Sequence, residues 1–133
     1  MVQVLSFNPD HAGEKKILVV DDYGSTRRMI VDALHQSGYR WVSEAENGRD
    51  ALSIMKSQAH DLVISDVVMP CMDGMDLLRH LKEDHPETAV IMITGQPATD
   101  LTVSAIKKGA VDFINKPFNI SDLLYKVQIY LRE

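Results

Sequence analysis

The chain has 133 residues, 45% hydrophobic and 25% charged, which suits one globular domain and is too apolar for a disordered chain. Fourteen Lys and Arg against 19 Asp and Glu leave a net charge of −5, so the surface as a whole does not attract phosphate backbones and direct nucleic-acid binding is not expected. Cys71 is the only cysteine, which excludes an internal disulfide and a cysteine zinc cluster and suits a reducing, cytoplasmic setting.

The opening MVQVLSFNPDHAGEKK lacks the basic, apolar and small-residue order of a signal peptide, and no apolar run is long enough to span a bilayer. Residues 1–15, with Asn8, Pro9 and Gly13, read as a polar leader, and the folded domain is expected over 16–133. A first strand is expected over Lys16 to Val20. A helix from about Ser25 to Ser37 follows, with Met29, Ile30, Ala33 and Leu34 on one face, Ser25 as its cap and Gly38 as its end. Trp41 to Ala45 reads as the second strand. The second helix runs from Gly48 to about Ser57, with Asn47 as N-cap and Ala51, Leu52 and Met55 inward.

Leu62 to Ser65 is a continuous apolar run flanked by Asp61 and Asp66, then a loop from Pro70 to Gly74 and a helix burying Leu77, Leu78 and Leu81 until His85 and Pro86 stop it. Ala89 to Ile93 is the fourth strand, and a helix from about Thr99 to Lys108 closes at Gly109. Val111 to Asn115 is the fifth strand. The last helix, about Ser121 to Arg132, should bury Leu123, Leu124, Val127 and Leu131. Alternating strands and helices with right-handed crossovers give an α/β, doubly wound parallel sheet, whose ligand site lies at the carboxyl ends of the strands.

Those ends carry Asp21 and Asp22 after the first strand, Asp66 after the third, Thr94 after the fourth and Lys116 after the fifth. Clustered carboxylates repel one another unless a cation neutralises them, and a few hard oxygen ligands suit Mg²⁺. A carboxylate beside Mg²⁺ and a lysine ammonium can act as a nucleophile towards phosphorus. Asp66, alone at the end of an expected central strand, is the natural nucleophile. Asp21 and Asp22 are placed to share the metal, Lys116 to pair with a phosphoryl oxygen and Thr94 to donate to another. Taken singly, each acid equally fits a turn or a cap; their conjunction carries the site.

The segments ILVVDD (Ile17 to Asp22), SD-VVMP-MDG (Ser65 to Gly74), TG (Thr94, Gly95) and KPF (Lys116 to Phe118) together resemble the response-regulator receiver domains of two-component signalling, over nearly everything from Lys16 onward. The resemblance implies a flavodoxin-like (βα)5 fold with strand order 2-1-3-4-5 and five helices. It further implies phosphoryl transfer to Asp66 from a sensor histidine kinase, a phosphotransfer protein or a small phosphodonor, followed by self-dephosphorylation. Mg²⁺ would be bound by Asp22, Asp66 and the backbone carbonyl of Val68, with Asp21 acting largely through water. Thr94 and Lys116 match the residues that sense the phosphoryl group. Phe113 matches an aromatic that swings inward, here without a phenolic hydroxyl, so its rotation is steric and hydrophobic. Val68 and Gln96 match positions that tune acyl-phosphate hydrolysis, Val68 by impeding water and Gln96 by orienting it.

The resemblance also implies a face of fourth helix, fifth strand and fifth helix that contacts kinases, a phospho-dependent target or output domain, or a second receiver in a homodimer. Tyr125 and Ile129, off the inward stripe of the last helix, read either as a small partner-facing patch there or as ordinary surface. The five histidines lack metal-ligand spacing and read as surface residues, Arg27 and Arg28 as positions near the acids that either form a salt bridge or, the favoured reading, stay solvated, Cys71 as a side chain without redox duty, and the methionines as core filler. The chain reads as a switch rather than a turnover enzyme, either a stand-alone regulator or part of a longer protein. Two other classes are open. A phosphohydrolase would need a second acid soon after Asp66 and a substrate-holding insertion, which Val68 and the short loops do not supply; a phosphate-independent binding module would not need the full set of acids, Thr94 and Lys116.

Overall fold

The computed structural model describes residues 14–95 and 104–131. In chain order it contains β1 (Lys16–Val20), α1 (Gly24–Gln36), β2 (Trp41–Ala45), α2 (Gly48–Ser57), β3 (Leu62–Asp66), α3 (Gly74–Asp84) and β4 (Ala89–Thr94). Helix α4 follows, of which residues 104–107 are described, and then β5 (Asp112–Asn115) and α5 (Ile120–Leu131). The five strands pair in parallel in the order β2-β1-β3-β4-β5. The doubly wound sheet expected from the alternation is therefore present, with β3 in the middle.

Successive strand residues point to opposite faces, and the core divides accordingly. Ile17, Val19, Leu62, Ile64, Ile91 and Ile93 pack with α1 and α5 on one side. Leu18, Val20, Val63, Val90 and Met92 pack with α2, α3 and Ala105 on the other. A strand buried on both faces has no use for polar alternation, so the sequence shows continuous apolar runs that break where the backbone emerges. β3 and β4 each run one residue beyond expectation, so Asp66 and Thr94 are the last residues of their strands.

Local chemistry explains four of the helix ends. Asn47 accepts from Asp50 N at 2.8 Å and caps α2, and Asp73 caps α3 by accepting from Asp76 N at 2.9 Å. Gly38 and Gly109 adopt φ of +102° and +111° after α1 and α4, the left-handed conformation that closes a helix at little cost only in glycine. Three expectations need correction. α1 begins at Gly24, its N-cap position is Tyr23 and no side chain caps it, so Ser25 lies inside the first turn. The buried stripe of α1 is Ile30, Val31 and Leu34, whereas Met29 is exposed and is not core filler. On α5, Leu123, Val127 and Leu131 are buried but Leu124 only in part.

The histidines are not all surface residues. His60 is 5% exposed, with Nδ1 2.8 Å from the Gln58 carbonyl and Nε2 2.9 Å from Ser43 Oγ. Its own carbonyl accepts from the buried Thr88 hydroxyl at 2.8 Å, so the residue joins the start of β3 to β2 and β4. Burial disfavours the imidazolium and lowers its pKa from the ordinary 6.5 or so, although Gln58 and Asp61 favour the charged form. Below about pH 6.5 the unfolded chain therefore binds a proton that the native chain resists. The stability His60 contributes is complete above that pH and is lost as pH falls towards the depressed native value. Urea unfolding should show a loss of up to about 1 kcal/mol between pH 7.5 and 5.5 that His60→Gln removes; an identical slope in that variant would assign the acid sensitivity elsewhere.

Candidate functional site

Where β1 ends, Asp21 is drawn into the sheet by its backbone N–H, which donates to the Ala45 carbonyl at 3.1 Å. Its side chain is almost fully enclosed. Oδ1 accepts from Tyr23 N at 2.9 Å, but Oδ2 is buried without a hydrogen bond. Asp22, the next residue, is exposed, and Asp66 at the end of β3 is buried. Carboxylate oxygens of these three residues lie within 4.8 Å of one another.

Lys116, just past β5, reaches into this cluster. Its Nζ donates to Asp66 Oδ2 at 3.0 Å and lies 3.5 Å from Asp21 Oδ2, a separation that is an ion pair but too marginal for a hydrogen bond. Burial alone would lower the Lys116 pKa, but the Asp66 hydrogen bond and the Asp21 and Asp66 charges outweigh it and hold the ammonium above the ordinary lysine range. For Asp21 the balance goes the other way. Burial, aided by the charges of Asp66 and Asp22, pushes its carboxyl upward despite the Tyr23 hydrogen bond and the Lys116 charge.

One lysine thus opposes three carboxylates, and a buried anionic oxygen is left without a hydrogen-bond donor. That is the donor set a small divalent cation takes: hard oxygens, few in number, on one exposed and two enclosed residues. The residues present fit Mg²⁺.

The neighbouring positions are set by the same strand ends. Thr94 is fully buried at the end of β4, opposite Asn115, and its carbonyl accepts from Lys116 N at 2.6 Å. Thr94 and Lys116 are thereby fixed relative to each other. Val68 is 57% exposed beside the cluster, and its N–H points to Asp66 Oδ1 at 3.4 Å. Gly74 closes the loop, donating to the Val67 carbonyl at 2.6 Å. A Cβ at Gly74 would overlap the Asp66 carbonyl oxygen and crowd Val67 Cα and Met92, so only glycine lets α3 start this close to the end of β3. Phe113 belongs to the apolar packing on the α3 face rather than to the charged cluster. Gln96 lies outside the described residues.

Two features are more specific than the sequence reading. Arg27 and Arg28 both pair with Glu44, Arg27 half-buried and Arg28 still exposed: Arg27 Nε lies 2.9 Å from Glu44 Oε1 and Arg28 Nη2 lies 2.8 Å from Glu44 Oε2. Arg27 Nη1 also donates to the Asp21 carbonyl at 2.7 Å. The second feature is an open groove of about 590 Å³ along β5 and α5, lined by residues that include Phe113, Pro117, Phe118, Tyr125 and Lys126. Tyr125 is exposed there, as expected from its position off the buried stripe. Cys71 is exposed and unpaired.

Comparison with known proteins agrees with this geometry. The response regulator receiver domain pattern matches residues 17–128. The chain belongs to the response-regulator receiver family. As a receiver it is 39% identical over 109 residues to the chemotaxis protein CheY of Bacillus subtilis, covering 82% of this chain and 91% of that protein. It is 38% identical over 112 residues to the DNA-binding transcriptional regulator NtrC of Salmonella typhimurium, covering 84% of this chain but 24% of that longer protein. Among solved structures, the receiver domain of NtrX from Brucella abortus superposes with a TM-score of 0.83 at 36% identity, covering 87% of this chain and 98% of that one. The beryllofluoride-activated NtrC4 receiver domain dimer superposes with a TM-score of 0.82 at 34% identity, covering 87% and 95%. Among the described residues, no helix of this receiver is long and apolar enough to cross a membrane.

Proposed function

We propose that this receiver accepts a phosphoryl group on Asp66 in two-component signalling, loses it by self-catalysed hydrolysis, and controls a partner through the change between the two states. The observation that carries the reading is the meeting of Asp66 with Asp21, Asp22 and Lys116 at the carboxyl ends of β1, β3 and β5. The working unit is the domain over 16–133, following a leader over 1–15, in a cytoplasmic setting.

Bound by Asp21, Asp22, Asp66 and the Val68 carbonyl, Mg²⁺ would supply positive charge to the equatorial oxygens of the transferring phosphoryl group. An oxygen of the Asp66 carboxylate attacks phosphorus as the phosphorus–nitrogen bond of a donor phosphohistidine breaks. The bonding pair leaves with the imidazole, which takes its proton from solvent. Lys116 already faces Asp66 and holds a phosphoryl oxygen as a charge-assisted donor. Thr94 donates to another oxygen, and its movement lets Phe113 turn further inward. Hydrolysis reverses the modification: water attacks phosphorus, Asp66 regains its carboxylate and phosphate leaves, while exposed Val68 limits the approach of water.

The phosphoryl group shifts the equilibrium only as far as Thr94 and Lys116 bind it better in the active arrangement. The groove along β5 and α5 adjoins Phe113, so the α4–β5–α5 face is where a kinase, a target or output domain, or a second receiver would read the state. A small acyl phosphate tests the chemistry. Intact mass should rise by one phosphoryl group in the native chain with Mg²⁺, and not without Mg²⁺ or in Asp66→Asn. Retained mass gain in Asp66→Asn would move the acceptor elsewhere; no gain would favour a phosphate-independent module, and phosphate release without retained mass a hydrolase.

A further inference from the structure

Two arginines on the first turns of α1 grip one carboxylate of β2. Arg27 Nε takes Glu44 Oε1 at 2.9 Å and Arg28 Nη2 takes Glu44 Oε2 at 2.8 Å. Arg27 alone reaches further, donating from Nη1 to the Asp21 carbonyl at 2.7 Å. That carbonyl is part of the planar peptide joining Asp21 to Asp22, so its direction sets the plane from which Asp22 departs. The backbone here has left β1 and has not entered α1, and α1 lacks a side-chain N-cap that would hold its entry. Asp21 is anchored by its own N–H and by Oδ1, whose bond to Tyr23 N spans the Asp21–Asp22 peptide, and Arg27 adds the hydrogen bond that holds the carbonyl of that peptide directly. A planar guanidinium serves Glu44 and Asp21 from one rigid fork, which a lysine ammonium does not.

We infer that Arg27, held by Glu44, is a positioning residue that orients the Asp21–Asp22 peptide and so sets the affinity of the acidic cluster for a divalent cation. The inference rests on the cation site proposed above. Arg28 provides the control, because it grips the same Glu44 but is 57% exposed and also pairs with Asp32 at 3.6 Å on its own helix. A clasp that merely ties α1 to β2 would make the two arginines equivalent for binding.

The test is calorimetric titration of Mg²⁺ into the full chain as native protein, Arg27→Gln and Arg28→Gln, with thermal unfolding of each in chelator. Both variants should lose some stability from the shared clasp. The Mg²⁺ dissociation constant should weaken about tenfold in Arg27→Gln, the scale of losing a group that orients a metal ligand, and stay within about twofold in Arg28→Gln. Native affinity in folded Arg27→Gln, or equal weakening in Arg28→Gln, overturns the inference while leaving the cation site standing. Absence of saturable Mg²⁺ binding by the native chain removes both. If Arg27→Gln does not fold, Glu44→Gln keeps Arg27 but loosens it. A weakening of about threefold would then support the inference and unchanged affinity would overturn it.

Discussion

Replacing Lys116 by methionine should slow phosphoryl capture from an acyl phosphate by about 10²- to 10³-fold, the usual effect of removing one preorganised donor from a developing oxyanion. The ammonium stands 3.0 Å from Asp66 Oδ2 before any phosphoryl group arrives, so its charge is in place and little reorganisation is needed. The same change leaves Asp21 and Asp66 facing each other without their cation. Losing one partner of a buried ion pair costs roughly 3–5 kcal/mol, and partial exposure of Lys116 reduces that to about 2 kcal/mol here. Saturating Mg²⁺ should restore much of the lost stability but not the rate. Intact-mass time courses and urea unfolding with and without Mg²⁺ measure the two effects. A rate within about threefold of native would remove Lys116 from the chemistry and leave it a counter-charge only.

The sequence shows the strand ends plainly because burial on both faces demands apolar runs, and the residues that end those runs are the ones that converge. Asn47 was legible as a cap since its bond to Asp50 spans three residues. His60 was not, because its burial depends on Ser43 and Thr88, 17 and 28 residues away, and periodicity carries no information about such partners. The slip from Met29 to Val31 on α1 has a related cause: a helix offers several apolar side chains and the sheet beneath it selects the stripe. Arg27 beside an acidic pair suggested a surface charge. The missing signal was Glu44, a charged residue in an otherwise short, mostly uncharged strand, which the register places opposite Val19, two residues before Asp21.

Asp21→Asn should change stability in opposite directions with and without Mg²⁺. Asp21 is 1% exposed and its Oδ2 has no hydrogen bond, so without a divalent cation its charge opposes folding, and burial with the Asp66 and Asp22 charges raises its pKa. An amide of the same shape keeps an acceptor for Tyr23 N and presents N–H donors to a cluster that needs them. In chelator at pH 7 the variant should be more stable by about 1 kcal/mol. The sign of the pH dependence follows. A raised carboxyl penalises folding fully above its native pKa, and the penalty fades as pH falls through that value towards the ordinary 3.8 or so, so the advantage of Asn should shrink on acidification. With Mg²⁺ the order inverts. Losing a group that only orients a ligand costs about 10- to 100-fold in affinity, so losing the ligand itself should cost at least about a hundredfold. Native protein then gains RT ln(1 + [Mg²⁺]/Kd) that the variant does not. Thermal unfolding of both chains in chelator and in millimolar Mg²⁺ reads the crossing directly. If the variant were less stable in both conditions, Asp21 would be a structural anchor whose charge is already balanced by Lys116; a crossing would show that its uncompensated charge is what makes the site bind a cation.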